Sequence, residues 1–489
     1  MSATAPPEAA APVIPAVMDV LRQRRHGLAL GALVVLATAA YSLLGLVKFA
    51  TFRATTFDLV IFDQAVRGYA GFGAPTEPSV GMQYGMGMDF IQLADHFSPI
   101  VALLAPLYWL GGGPQSLIVA QAVLFALAAI PIWHYAERRL GAVPAHLVAV
   151  AYAVSWPIAQ AAGFDFHEAA FVPLLSAIMI ERFDARRPLL GVLAAAGLLL
   201  VKEDMGLLLA GFGMYLVVTR RRLEGVAFIL FSLGALVVIR SVLMPLAGAS
   251  TTGFHWAYGN WGATLGEVAV AILRDPLGAL AQSVSPMVKV NTLAFLLWPM
   301  ALTALLSPLT LAAVPLVAER FLADRPQWWE AGHHYNAFVV AILVCAGVDG
   351  AARLAKRFPE RGVATHWAVA VCLIGLTLVP RFELGKLLDP GYYDGEPHIA
   401  AAREAVTMIP DGVIVEAANN VGPALTARTT VLLWGPQAYD APWVVADVAR
   451  WSYPFGDFGA QQRRVDEALA NGYRKVFDRD GYIVLNRPS

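Results

Sequence analysis

Apolar residues run in long stretches along most of this chain, and short clusters of charge break them at intervals. A helix that spans a bilayer needs roughly 20 mainly apolar residues. Runs that reach or approach that length lie at 27–47, 114–135, 144–162, 169–181, 188–201, 205–218, 226–246, 292–306, 309–319, 335–348 and 365–379. The pattern predicts about eleven transmembrane helices, the shorter ones extending into their flanks. From about Gly395 the period changes. Helical stretches are expected at 398–409, 421–428 and 461–471, and β runs at 412–416, 430–433 and 443–448. A closing hairpin pairs 473–477 with 482–486 around Asp478, Arg479, Asp480 and Gly481, an Asp-Gly turn signal. The fold class is therefore an all-α polytopic membrane domain followed by a small α/β domain.

Composition agrees. Of 489 residues 58% are hydrophobic and 15% charged, against roughly 25% charged in soluble domains. The net charge of −1 gives no bulk attraction to nucleic acid. Basic residues cluster at Arg22 to Arg25, Arg138 and Arg139, Arg186 and Arg187, Arg220 to Arg222, and Arg353 to Arg361. Positive loops face the cytoplasm, and these clusters mark nearly every second loop if the Pro-broken stretch 98–113 lies along the outer interface without crossing. The segments 48–113, 163–168, 202–204, 247–291, 321–334 and everything from 380 onward then face outside. The organisation expected is a cytoplasmic tail at 1–26, a multi-span domain at 27–382 with its first outer loop at 48–113, and an extracytoplasmic domain at 390–489. The first apolar run lacks a small-residue cleavage site and is expected to be retained. Cys345 and Cys372 sit inside apolar runs and count as core residues. No repeat of solenoid period and no glycine-rich phosphate loop is present, so the tail is assigned no cofactor.

Ionisable groups close to a bilayer are costly and mark function, pairing or capping. The first outer loop carries Asp58 and Asp63, five residues apart and so about 140° around a helix; they do not share a face. Asp95 and His96 follow, either a base with its orienting partner, a pair of metal ligands, or a helix cap beside a surface histidine. Asp165, His167 and Glu168 crowd one short turn. Lys202, Glu203 and Asp204 end a span, as a salt-bridged terminus or with the lysine meeting an anionic phosphate. Arg320, Arg325, Trp328, Trp329, Glu330, His333, His334 and Tyr335 form the last group. Their aromatics suit interfacial anchoring, and adjacent histidines lack the i, i+4 spacing of a helical metal pair.

The segments TTFDLVIFDQAVRG, DHFSPIVALLAPLY, FDFHEAAF, VKED and GHHYNA resemble a family of predicted bacterial membrane proteins called domain of unknown function two-zero-seven-nine. The layout of first span, long acidic outer loop, interfacial helix and outer domain resembles the GT-C superfamily of membrane glycosyltransferases. That resemblance implies a polyprenyl-phosphate-linked sugar as donor, membrane lipid around the site, an unassigned acceptor, and placement in a bacterial plasma membrane. It implies an acidic base in the first outer loop and puts His96 where donor phosphate is met. Leu59 follows Asp58 where the superfamily has a second acid, which leaves the base open between Asp58 and Asp63. A divalent metal is possible and unassigned. The rival is a transporter or flippase of a lipid-linked or polar solute, which would spread its polar residues through the membrane depth; here they gather at one edge. A non-catalytic partner protein would explain the tail but not the clustered acids and histidines.

Overall fold

The computed structural model describes residues 13–249, 256–394 and 397–488, with side chains from Arg24 onward. The start of the expected cytoplasmic tail, part of the expected loop 247–291 and the expected domain onset near Gly395 lie outside the described residues.

Six helices among the described residues are long and apolar enough to cross a membrane: Arg24–Ala50, Pro114–Leu140, Ala142–Gly163, Arg222–Leu246, His334–Arg357 and Val363–Arg381. The other expected runs form shorter helices, including Phe171–Asp184, Pro188–Leu199 and Met205–Val218. The runs expected at 292–306 and 309–319 differ most. A helix at Met287–Leu297 gives way to left-handed Ala301 and Leu302, then to short 3₁₀ turns and a helix at Val314–Leu322. Pro299, Pro308 and Pro315 each remove a backbone donor that a continuous helix requires. The broken chain packs on the central helix Ala337–Arg357, where a side chain at Gly350 would strike the Thr303 carbonyl at 1.9 Å. That helix is buried at every position from Ala337 to Ala352, and its alanines and glycines let neighbours approach closely.

Alternate loops gather at opposite ends of the bundle. At one end Arg138 pairs with Glu181 at 2.6 Å and Asp184 at 3.0 Å, Arg139 with Asp184 at 2.6 Å and with Asp349, and Arg353 with Asp349 at 2.9 Å. At the other end lie the loop from Thr51 to Gly113, the turn after Gly163, the Lys202 group, the segment from Glu319 to Tyr335, and the C-terminal sheet. The stretch expected along the interface is a 3₁₀ turn Pro99–Leu104 and a helix Ala105–Trp109, with Leu103, Trp109 and Leu110 exposed.

The sheet has five strands: β1 (Ile414–Ala417), β2 (Thr430–Leu433), β3 (Trp443–Asp447), β4 (Arg474–Arg479) and β5 (Tyr482–Asn486), in the order β2-β1-β3-β5-β4. β2, β1 and β3 are parallel, and β5 runs antiparallel to β3 and β4. Helices Pro397–Thr407 and Phe458–Ala470 accompany it. The hairpin turns on Asp480 and Gly481, both at positive φ, the geometry for which Asp-Gly is suited. Edge strand β2 is covered by this first long loop. Gln64 Nε2 donates to the Val431 carbonyl at 3.0 Å, and the Leu433 N–H donates to Ser79 Oγ at 3.1 Å. An edge left open would invite pairing with another chain.

Candidate active site

The first long loop leaves the helix that ends at Ala50 and forms a π-helical turn, Thr56–Val60, before the helix Ile61–Ala70. Such turns are rare and often sit at functional sites, because the extra residue re-aims a side chain. Here it separates two carboxylates. Asp58 faces a cavity of about 490 Å³, whereas Asp63 points into the contact with the C-terminal domain. Asp63 is 0% exposed and accepts from Arg67 at 2.8 Å, Tyr108 hydroxyl at 2.6 Å and Thr426 hydroxyl at 2.8 Å.

Asp58 keeps 22% of its side chain accessible and meets His167 Nε2 at 3.2 Å. The other imidazole nitrogen lies 3.1 Å from the Asp165 carbonyl, which orients the ring. The Asp165 side chain lies behind this pair. It accepts from the Thr55 N–H at 3.0 Å and hydroxyl at 2.6 Å and pairs with Lys48 at 3.1 Å, fastening the turn after Gly163 to the first loop. Burial pushes the Asp58 carboxyl up, but His167 and Lys48 outweigh it and hold it below its ordinary value. Burial pulls His167 down, and Asp58 more than reverses this, so the imidazole sits above its ordinary value. The two groups form a close carboxylate–imidazole pair on the cavity wall.

Cations line the same cavity. Lys202 is buried and pairs with fully buried Glu168 at 2.8 Å. Burial disfavours its charge, yet Glu168, Glu203 and Asp204 keep the ammonium above its usual range. Glu203 accepts from His96 at 3.2 Å and from the Phe97 N–H at 3.2 Å, with Arg240 at 4.0 Å. Burial opposes the charge of Glu203, but His96 and Lys202 hold its carboxyl well below the usual range. Arg320 pairs with Asp204 at 3.3 Å, donates to the Tyr335 carbonyl at 2.6 Å and lies 4.2 Å over the Phe338 ring. His334 stacks on His167 with centroids 3.6 Å apart.

Asp58, Asp95, His96, His167, Lys202, Glu203, Arg320, His333, His334 and Tyr335 therefore line one cavity, while Asp63, Asp165 and Glu168 stand outside its wall. The lining also includes Glu77, Arg240, Asn419 and Tyr453, which sequence reasoning did not select. Arg240 had a signal, a lone charge inside an apolar run. Glu77 had none, since it sits among turn-forming residues; burial, with Asp95 and Glu168 adding to it, pushes its carboxyl well above the ordinary range. Among the described residues no three His, Cys, Asp or Glu side chains converge as a ligand set.

Long apolar helices and a polar cavity at one end of them define a polytopic membrane protein. Residues 48–484 match the family described as predicted membrane protein (DUF2079), and the chain belongs to that family. No curated protein matches the sequence. Among solved structures the chain is similar to the oligosaccharyltransferase of Archaeoglobus fulgidus tethered to an acceptor peptide, at 11% identity and a TM-score of 0.44, covering 94% of this chain and 74% of that one. It is also similar to that organism's oligosaccharyltransferase in complex with an inhibitory peptide and a dolichol-phosphate, at 11% identity and a TM-score of 0.46, with the same coverages. Likeness at this level carries no conclusion about chemistry.

Proposed function

We propose that this protein is a membrane glycosyltransferase that moves a sugar from a polyprenyl-phosphate donor to an acceptor outside the cytoplasm. The observation that supports it is one cavity lined both by the Asp58–His167 pair and by the cations Lys202, Arg240, Arg320 and Arg325. In this reading Asp58 takes the proton of an acceptor hydroxyl. The oxygen then bonds to the anomeric carbon while the bond from that carbon to the phosphate oxygen breaks, and the electron pair leaves with the phosphate. Attack opposite the leaving group inverts the anomeric centre. General-base assistance is worth roughly 10²–10⁴-fold, and fixed cations where phosphate charge develops lower the barrier further. His167 holds the carboxylate in place and carries the compensating charge.

The charge alternation supports an N-terminus in the cytoplasm of a bacterial plasma membrane, with the cavity and the sheet outside. The purified protein in lipid, given a panel of radiolabelled polyprenyl-phosphate sugars, should release or transfer sugar from one of them, and Asp58→Asn should abolish this while the protein stays folded. Full transfer by that variant would remove Asp58 as the base. Failure with every donor would remove the transferase assignment itself.

A further inference from the structure

In open α/β sheets the crevice beyond the carboxyl ends of parallel strands is the usual ligand site. Here that position, just past β1, is filled by the chain's own first long loop. Asn419, two residues beyond β1, receives the start of the π-helical turn. The Thr56 N–H donates to the Asn419 main-chain carbonyl at 2.7 Å and to its side-chain Oδ1 at 3.1 Å. The Phe57 N–H donates to the same Oδ1 at 3.3 Å, and the Thr56 hydroxyl donates to the main-chain carbonyl at 3.0 Å. Thr55, the residue that precedes the turn, makes no side-chain cap of its own. Helical N-termini leave backbone donors without partners, and a residue more than 360 positions away satisfies these ones. A second contact makes the approach obligatory: a side chain at Gly422 would stand 2.1 Å from the Thr56 hydroxyl.

We infer that Asn419 is a positioning residue, through which the C-terminal domain holds the Asp58-bearing turn in its working geometry. The inference rests on Asp58 being the base. Asn419 caps the turn two residues before that carboxylate; its side-chain Oδ1 takes two of the four bonds, so its loss loosens the turn and the hold of Asp58 on His167 while the main-chain carbonyl keeps the other two. A displacement of about 1 Å at a reacting group costs on the order of 100-fold in rate. The acceptor and donor contacts elsewhere in the cavity would be untouched, so the loss should fall on kcat and leave KM nearly unchanged.

The test uses the full chain in lipid and two readouts. Hydrogen exchange in a peptide covering 55–62 should be on the order of five-fold faster in Asn419→Ala than in the native protein, the effect of removing a helix cap. Asn419→Asp, which keeps the accepting oxygen, should restore protection. Gly422→Ala, which pushes on Thr56 from the same side, should reproduce the loss. In the transfer assay Asn419→Ala should lower kcat at least ten-fold with little change in KM. Unchanged exchange at 55–62, or faster exchange throughout 397–488 as well, would overturn the positioning role and make Asn419 an ordinary fold residue. If the native protein transfers no sugar from any donor, the transferase reading fails; the exchange results still decide whether Asn419 orders the turn.

Discussion

Asp58 and Asp63 are the same residue type five positions apart, and replacing each with asparagine should give opposite results. Both oxygens of Asp63 accept from donors, namely Arg67, Tyr108 and Thr426. Asparagine would turn one acceptor into a donor facing donors and leave the guanidinium without its counter-charge. Breaking a buried ion pair from one side costs roughly 3–5 kcal/mol. Arg67 is 35% exposed, so water recovers part of this, and about 2–3 kcal/mol is the expected loss for Asp63→Asn. It falls on the junction between the first loop and the C-terminal domain. Asp58→Asn keeps the accepting oxygen toward His167 and should cost under about 1 kcal/mol. Thermal unfolding in lipid with limited proteolysis of residues 397–488 measures stability, and the donor assay measures transfer. Asp63→Asn should loosen the domain, with whatever transfer remains proportional to the folded fraction. Asp58→Asn should melt like the native protein and transfer nothing. A stable, inactive Asp63→Asn beside an active Asp58→Asn would refute the assignment of roles.

The Asp58–His167 pair also sets a pH dependence. Asp58, lowered from 3.8, adds stability that is present above that value and lost as pH falls through its folded value; His167, raised from 6.5, adds stability that is present below 6.5 and lost as pH rises through its folded value. The contribution of the pair is therefore complete between about pH 4 and 6.5, and His167→Gln should flatten the native decline in melting temperature above about pH 6.5. Lys202→Met leaves Glu168 as an uncompensated buried carboxylate and should cost roughly 3–5 kcal/mol; adding Glu168→Gln should restore most of the stability but none of the transfer. At the far end of the bundle Asp349→Asn strips Arg353 of its carboxylate and leaves Arg139 with Asp184 alone, and it should lower the melting temperature while transfer by the folded protein persists.

What the sequence disclosed, it disclosed by contrast. Asp58, the turn holding His167, the Lys202 group and the His333–His334 step stand out because they are ionisable residues against apolar flanks, and the cavity gathers all of them. The strands after 412 were legible for the same reason, since alternating and β-branched runs bounded by glycine and asparagine differ from what precedes them. Glu77 sits among turn-forming residues and Asn419 follows a strand, where an acid or an asparagine reads as a turn and carries no further signal. The break at Ala301 and Leu302 was invisible to hydropathy, which scores leucine, alanine and proline by polarity and not by the hydrogen bonds that proline removes. Periodicity separated Asp58 from Asp63 by face but could not say which face met the cavity. That depended on a π-helical turn and on Thr426, 363 residues away.

The acids at this end of the bundle divide by the partners their elements bring. Asp63 meets a helix, an interfacial tyrosine and the C-terminal domain; Asp165 meets Lys48 and Thr55; Glu168 meets Lys202. Each ties two or three chain segments together, and a carboxylate so engaged has no freedom to accept a substrate proton. Asp58 has one strong partner, a histidine whose imidazole it holds above its ordinary value, and an open side toward the cavity. A buried charge that is fully paired is inert, and one with no partner shifts its pKa and neutralises. Only the intermediate case keeps a carboxylate both ionised and available. The frame of paired acids supplies that case by fixing the three segments around Asp58, so the loop, the turn after Gly163 and the C-terminal domain have to assemble together before Asp58 can take the role proposed for it.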